Sequence, residues 1–126
     1  MPLASFEGVH AYDTAPIAKT AAYAVLSTDH GRFFTNRGAT ASVTFTLPAV
    51  TSLPAGFTVQ FFAVSNYGIV VASNGSSDNI VALNDAGADT ITCTTTSRMI
   101  GANVKVVFDG VGWLAIEGAG ATYTVA

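Results

Sequence analysis

Apolar side chains recur along this chain with a period of two over short runs, and each run ends at glycine, proline, asparagine or aspartate. Residues 29–48, DHGRFFTNRGATASVTFTLP, carry the pattern in full. The segment 32–35 (RFFT) reads as a strand, and Asn36, Arg37 and Gly38 supply residues that tolerate positive φ. Residues 42–47 (SVTFTL) then alternate polar and apolar until Pro48 removes a backbone donor. The expectation is a strand, a turn and a half-buried strand, repeated downstream as successive hairpins.

Residues 57–65 (FTVQFFAVS) form the longest predicted strand, with Phe57, Val59, Phe61 and Ala63 on one face. Asn66, Tyr67 and Gly68 then connect tightly to 69–73 (IVVAS), which predicts a second hairpin. Residues 74–79 read as a loop, 80–83 as a short strand and 84–89 (NDAGAD) as loop again. The run 90–96 (TITCTTT) is β-branched apart from Cys93 and favours an extended chain. Residues 103–108 and 113–117 flank Asp109-Gly110 and predict the firmest hairpin, with Trp113 closing one end of the core. Residues 122–126 read as a last strand or a tail. Strands of this number and spacing, without an amphipathic helix, predict one all-β domain: an antiparallel β-sandwich or a barrel-like, β-tulip or jelly-roll-like fold.

Residues 1–20 differ from this pattern. Phe6, Val9, Tyr12 and Ile17 fit neither the helical nor the strand period, and Pro2, Gly8 and Pro16 interrupt regular structure. They are expected to form an irregular arm preceding a module over 21–126. The arm's apolar anchors would be costly to leave in water, so it is expected to lie across its own domain or to reach a neighbouring subunit or surface.

Composition adds a constraint that patterning does not give. The chain has 126 residues, of which 50% are hydrophobic and only 10% charged; its mean hydropathy is +0.47. Soluble domains carry about 25% charged residues, so part of this surface is expected to be covered by further copies or a partner. The net charge of −3, with five scattered basic residues, argues against nucleic acid and against a polybasic membrane contact. No apolar run approaches a membrane span, and the N-terminal residues lack the basic and continuously apolar regions of a secretory leader, so synthesis and maturation in a cytoplasm are expected.

Candidate chemistry is sparse. Cys93 stands alone, which leaves no intrachain disulfide and no cysteine-based zinc cage, and its setting between threonines predicts a small buried strand residue. His10 and His30 are too separated for a metal pair and are read as surface or interface residues. Most aspartates sit beside turn residues, where they hydrogen-bond their own backbone rather than act in pairs on substrate. No phosphate-binding or dinucleotide glycine pattern is present. The chain is expected to be no enzyme and to use no cofactor or metal.

The run from Gly31 to Thr40, followed by Val43 to Pro48 and Gly56 to Val59, resembles a small β module of tailed-bacteriophage virion proteins, both capsid decoration and fibre-type. The closing pattern Asp109-Gly110-Val111-Gly112-Trp113, with Leu114 and Ile116, is similar to that module's last hairpin. The likeness spans residues 23–117 and leaves the arm outside. The chain has neither the internal repeat nor the heptads of a fibre shaft, which favours a stand-alone decoration, or cement, protein. The resemblance implies a homo-oligomer, a trimer by preference, made in the host cytoplasm. It would seat on the major capsid protein at capsomer junctions of the virion, stabilising the head; the arm, outside the resemblance, is then expected to supply Phe6, Val9, Tyr12 and Ile17 as capsid or subunit contacts. The alternative is a receptor- or carbohydrate-binding module of a head or tail fibre, which would use exposed aromatics such as Tyr67 and Trp113.

Overall fold

The computed structural model describes residues 15–75, 77–93, 99–118 and 123–126. Within them the strands are β1 (Ile17–Ala18), β2 (Tyr23–Ala24), β3 (Phe33–Thr35), β4 (Val43–Thr46), β5 (Thr58–Phe62) and β6 (Ile69–Ala72). These are followed by β7 (Ile80–Ala82), β8 (Asp85–Ala88), β9 (Thr90–Cys93), β10 (Asn103–Phe108), β11 (Trp113–Glu117) and β12 (Thr124–Val125). A single 3-10 turn, Val50–Ser52, separates β4 from β5. The strands make a seven-stranded sheet, β1-β3-β5-β10-β11-β7-β8, and a five-stranded sheet, β12-β9-β6-β4-β2. The two pack face to face, as the sandwich expectation requires.

Pairing within the sheets departs from that expectation. β1, β3 and β5 pair in parallel in one sheet, while β2, β4 and β6 pair in parallel in the other. The chain therefore crosses the sandwich at every connection from β1 to β6, and both sheets are mixed rather than wholly antiparallel. The hairpins predicted at residues 36–38 and 66–68 do not form: β3 and β4, like β5 and β6, lie in opposite sheets. Phe34 and Phe45 explain why. Each is fully buried in its strand, and their rings meet across the core with centroids 5.7 Å apart. Opposite sheets let them face each other over a gap of about 10 Å between layers, whereas a hairpin would set them side by side.

The predicted Asp109-Gly110 hairpin does form, with β10 and β11 in register from Val104↔Glu117 to Phe108↔Trp113. A further hairpin joins β7 to β8, where sequence predicted loop over 84–89. Its turn places both Leu83 (φ 43°) and Asn84 (φ 68°) in the left-handed region, the conformation that matches strand twist in two-residue turns. Of the segment predicted as an arm, Ile17 and Ala18 form the edge strand β1.

Alternation then fills the core. Phe34, Val59, Phe61, Val104, Val106, Trp113 and Ile80 point in from the larger sheet, and Val43, Phe45, Ile69, Val71 and Ile91 from the smaller, all nearly or fully buried. Phe45 and Phe61 meet at 4.8 Å with their rings tilted by 42°, and Phe34 stacks on Phe61 at 5.9 Å. Each such side chain stabilises the fold by roughly 1.5–3 kcal/mol through burial. A second aromatic group, Phe57, Phe108 and Trp113, closes one end, with Trp113 edge-on to Phe57 at 5.8 Å.

Asn36, fully buried, fastens two of the crossings together. Its Oδ1 accepts from the amides of Val64 (2.7 Å) and Ser65 (2.9 Å), and its Nδ2 donates to the carbonyls of Ser65 (3.3 Å) and Tyr67 (3.1 Å). Its backbone is not at positive φ. Gly38 is the residue that takes that role, at φ 86°.

Candidate functional site

The outer faces of the two sheets are chemically different. On the five-stranded sheet, the register aligns Thr44, Val70, Thr92 and Thr124 in one row and Thr46, Ala72 and Thr90 in the next. Threonine hydroxyls dominate this surface. On the seven-stranded sheet, one row runs Phe33, Gln60, Lys105, Ile116 and the next Thr58, Val107, Leu114, Val81. Ile116 is 58% exposed, Val81 42% and Leu114 38%. Phe33 and Phe62 pair at 6.1 Å nearer β1 and line a groove of about 320 Å³ with Pro16, Ala18, Thr35 and Arg37. An apolar surface interrupted by Lys105 and edged by Arg37 has the composition of a contact face rather than a solvated one.

The end of the sandwich holding residues 26–31, 53–57 and 109–112 is a second candidate. Asp29 organises it: its carboxylate accepts from the Tyr23 hydroxyl and the Leu26 amide, both at 2.8 Å. Burial, and then this bond to Asp29, raise the Tyr23 hydroxyl above the usual phenol range. His30 Nδ1 accepts from the Thr58 amide at 3.1 Å, and its ring lies 5.8 Å from Phe57, beside a hollow of about 290 Å³. Asp109 caps its own turn by accepting from the amides of Val111 (2.8 Å) and Gly112 (2.9 Å), and these bonds hold its carboxyl below the ordinary carboxylate range. Val111, 89% exposed, stands at the tip beyond them.

At the opposite end the Tyr123 hydroxyl lies within hydrogen-bond reach of the carbonyls of Asn103 (2.9 Å) and Gly118 (3.0 Å) and of the Asn103 amide (3.2 Å). It tethers the last strand, and burial is the main reason its pKa is raised.

The residues singled out in the sequence do not converge. Phe6, Val9 and Tyr12 lie outside the described residues. Ile17 is half-buried in β1 and packs on the core rather than reaching outward. Tyr67 is exposed on the β5–β6 crossing, as expected of a surface aromatic. Trp113 is not: it is fully buried, because β11 places it on the inward face between Phe57 and Phe108. Its Nε1 has no hydrogen-bond partner among the described residues. Cys93 is buried on β9, and burial pushes its thiol pKa up, the opposite of what a nucleophile needs. Among the described residues no three His, Cys, Asp or Glu side chains gather as metal ligands.

What sequence reading missed is the difference between the outer faces. Leu114 and Ile116 were legible as apolar flanks of a hairpin, but their alignment with Val81 and Phe33 depends on parallel pairings that local pattern does not encode. No protein-family model matches this chain, and no curated protein matches it.

Proposed function

We propose that the chain is a structural virion protein, a capsid decoration or cement protein of a tailed bacteriophage. The observation that carries the reading is apolar exposure on a charge-poor domain. Val111, Ile100, Ile116, Leu83, Leu26, Val81, Tyr67 and Leu114 are all exposed on a chain of which only 10% is charged. Such a surface is suited to burial against further copies and a shell. In this reading the domain forms a homo-oligomer, a trimer by preference because a closed ring matches a three-fold lattice seat, and binds the major capsid protein across capsomer junctions. Phe6, Val9 and Tyr12 belong to the contact layer. Rupture of the head must then break these contacts as well, and the stabilisation grows with occupancy.

The test is addition of the purified protein to expanded, undecorated heads of the phage that encodes it, read by co-sedimentation and by imaging of the particles. Saturable binding at lattice positions, with a raised rupture temperature, is the expected result; heads that stay bare overturn the reading. Exposure of Tyr67 favours a receptor- or carbohydrate-binding module as the second reading. A glycan-array signal abolished by Tyr67→Ala would establish that reading instead.

A further inference from the structure

The connection from β6 to β7 carries a reactive dipeptide in an unprotected setting. Of the chain's asparagines, Asn74 alone is followed by glycine. Asn74 and Gly75 are both exposed and bend the chain just after β6. Neither the Asn74 side chain nor the Gly75 amide has a hydrogen-bond partner among the described residues. Their flanks, in contrast, are held. The Ser73 amide donates to the Asp89 carbonyl at 2.8 Å, and the Gly75 carbonyl accepts from the Asp78 amide at 3.0 Å and the Ser73 hydroxyl at 3.1 Å. The fold thus pins the chain on both sides of the Asn74–Gly75 peptide and leaves that peptide unpaired.

Glycine at 75 answers no conformational need. Gly31, Gly38, Gly56, Gly101 and Gly110 take the left-handed backbone that glycine allows, whereas Gly75 lies outside that region, and a Cβ added there would meet nothing within 4 Å. What the missing side chain does leave open is the approach of the Gly75 nitrogen to the Asn74 side chain, an intramolecular attack that needs only proximity and an unhindered amide.

We propose that Asn74 is a site of spontaneous deamidation in the folded protein. Hydroxide removes the Gly75 amide proton, and the nitrogen attacks Asn74 Cγ. A C–N bond forms, and the Cγ–Nδ2 bond breaks to release ammonia, which carries the proton away. Water then opens the succinimide at either carbonyl. Entry at Cγ leaves aspartate, and entry at the Asn74 backbone carbonyl leaves isoaspartate, with the chain running through Cγ. The other asparagines are less suited. Asn36 is buried with both ends of its amide paired. The Tyr67 amide after Asn66 donates to Ser65, and Asn79, Asn84 and Asn103 precede the strand residues Ile80, Asp85 and Val104.

Isoaspartate lengthens the backbone by a methylene, and the loop's return to β7 insulates the core from that change. Asp78 Oδ2 accepts from the Val50 amide at 3.2 Å, and the Asn79 carbonyl from the Trp113 amide at 2.9 Å. Each event also replaces a neutral amide by a carboxylate, in the same loop as Asp78, on a chain whose net charge is already −3.

The inference concerns the isolated protein and does not depend on the virion reading. The full chain is incubated at mildly alkaline pH, folded and in urea, with ammonia release, acidic forms on ion exchange and peptide maps as readouts. An isoaspartyl methyltransferase serves as probe of the β-linked product. In the folded chain, conversion is expected first at Asn74, several-fold faster than at Asn66 or Asn84 and within a few-fold of its rate in urea. Gly75→Ala should slow it several-fold without lowering the unfolding midpoint, and Asn74→Gln should abolish the early acidic form. Conversion at Asn74 no faster than at the other asparagines, strong protection by folding, or an undiminished rate in Gly75→Ala overturns the proposal. Protein converted at Asn74 should unfold at the midpoint of fresh protein; a midpoint that falls with conversion overturns the insulation of the core.

Discussion

Strands β1 to β6 cross from sheet to sheet and find their parallel partners only after a full winding of chain, whereas β7–β8 and β10–β11 close directly onto their neighbours. The winding half therefore relies on contacts distant in sequence, and loop-closure entropy must be overcome before any of them forms. In the other half the two hairpins form from local contacts, and distant pairings are needed only to join β11 to β7 and β10 to β5. Where contacts are distant, a buried polar side chain can fix the crossing loops, and Asn36 does so. Where contacts are local, the turn residues themselves decide, as Asp109, Leu83 and Asn84 do.

The sharpest way to break this comparison is Asn36→Ala. It leaves the part-buried amides of Val64 and Ser65 and the carbonyl of Tyr67 without their side-chain partner, and a loss of about 2–4 kcal/mol is expected in urea unfolding. A loss below about 1 kcal/mol would mean that the winding half is held by its apolar contacts alone. Leu83→Asn acts on the hairpin half and in the other direction. A branched apolar residue at φ 43° is strained, while asparagine accepts that conformation, so a gain of about 1 kcal/mol is expected from the same measurement.

The smallest effect is expected at Asp109. Its carboxyl is held below its unfolded value by the two turn amides, so its contribution is present above about pH 4 and is lost as the pH falls through the folded value. Asp109→Asn should flatten the acid limb of the stability profile and leave the neutral region nearly unchanged. An acid limb identical to that of the parent chain would assign it to other carboxylates.

The same contrast explains what could be read from sequence. The β10–β11 hairpin was legible because Asp109-Gly110 and its flanks determine it locally. The β3–β4 and β5–β6 connections were misread as hairpins because turn-forming residues look alike whether a chain folds back within a sheet or crosses to the next one. The deciding interactions, Phe34 with Phe45 and Asn36 with the carbonyl of Tyr67, are tertiary. β8 was hidden by its composition, since Asp85, Ala86 and Gly87 are poor strand formers that pair only because Leu83 and Asn84 turn the chain. Inward strand residues such as Phe61 and Val59 were readable from period alone. The outer face was not, because its rows join residues from β3, β5, β10, β11 and β7.

Burial of Cys93 has a practical consequence. The chain's single sulfhydryl sits where β9 pairs with β6, opposite Ile69, so a solvent-borne thiol reagent reaches it only while that ladder is open. Native labelling kinetics thus count opening events of the threonine-clad sheet one molecule at a time, a tamper seal built into the wild-type sequence.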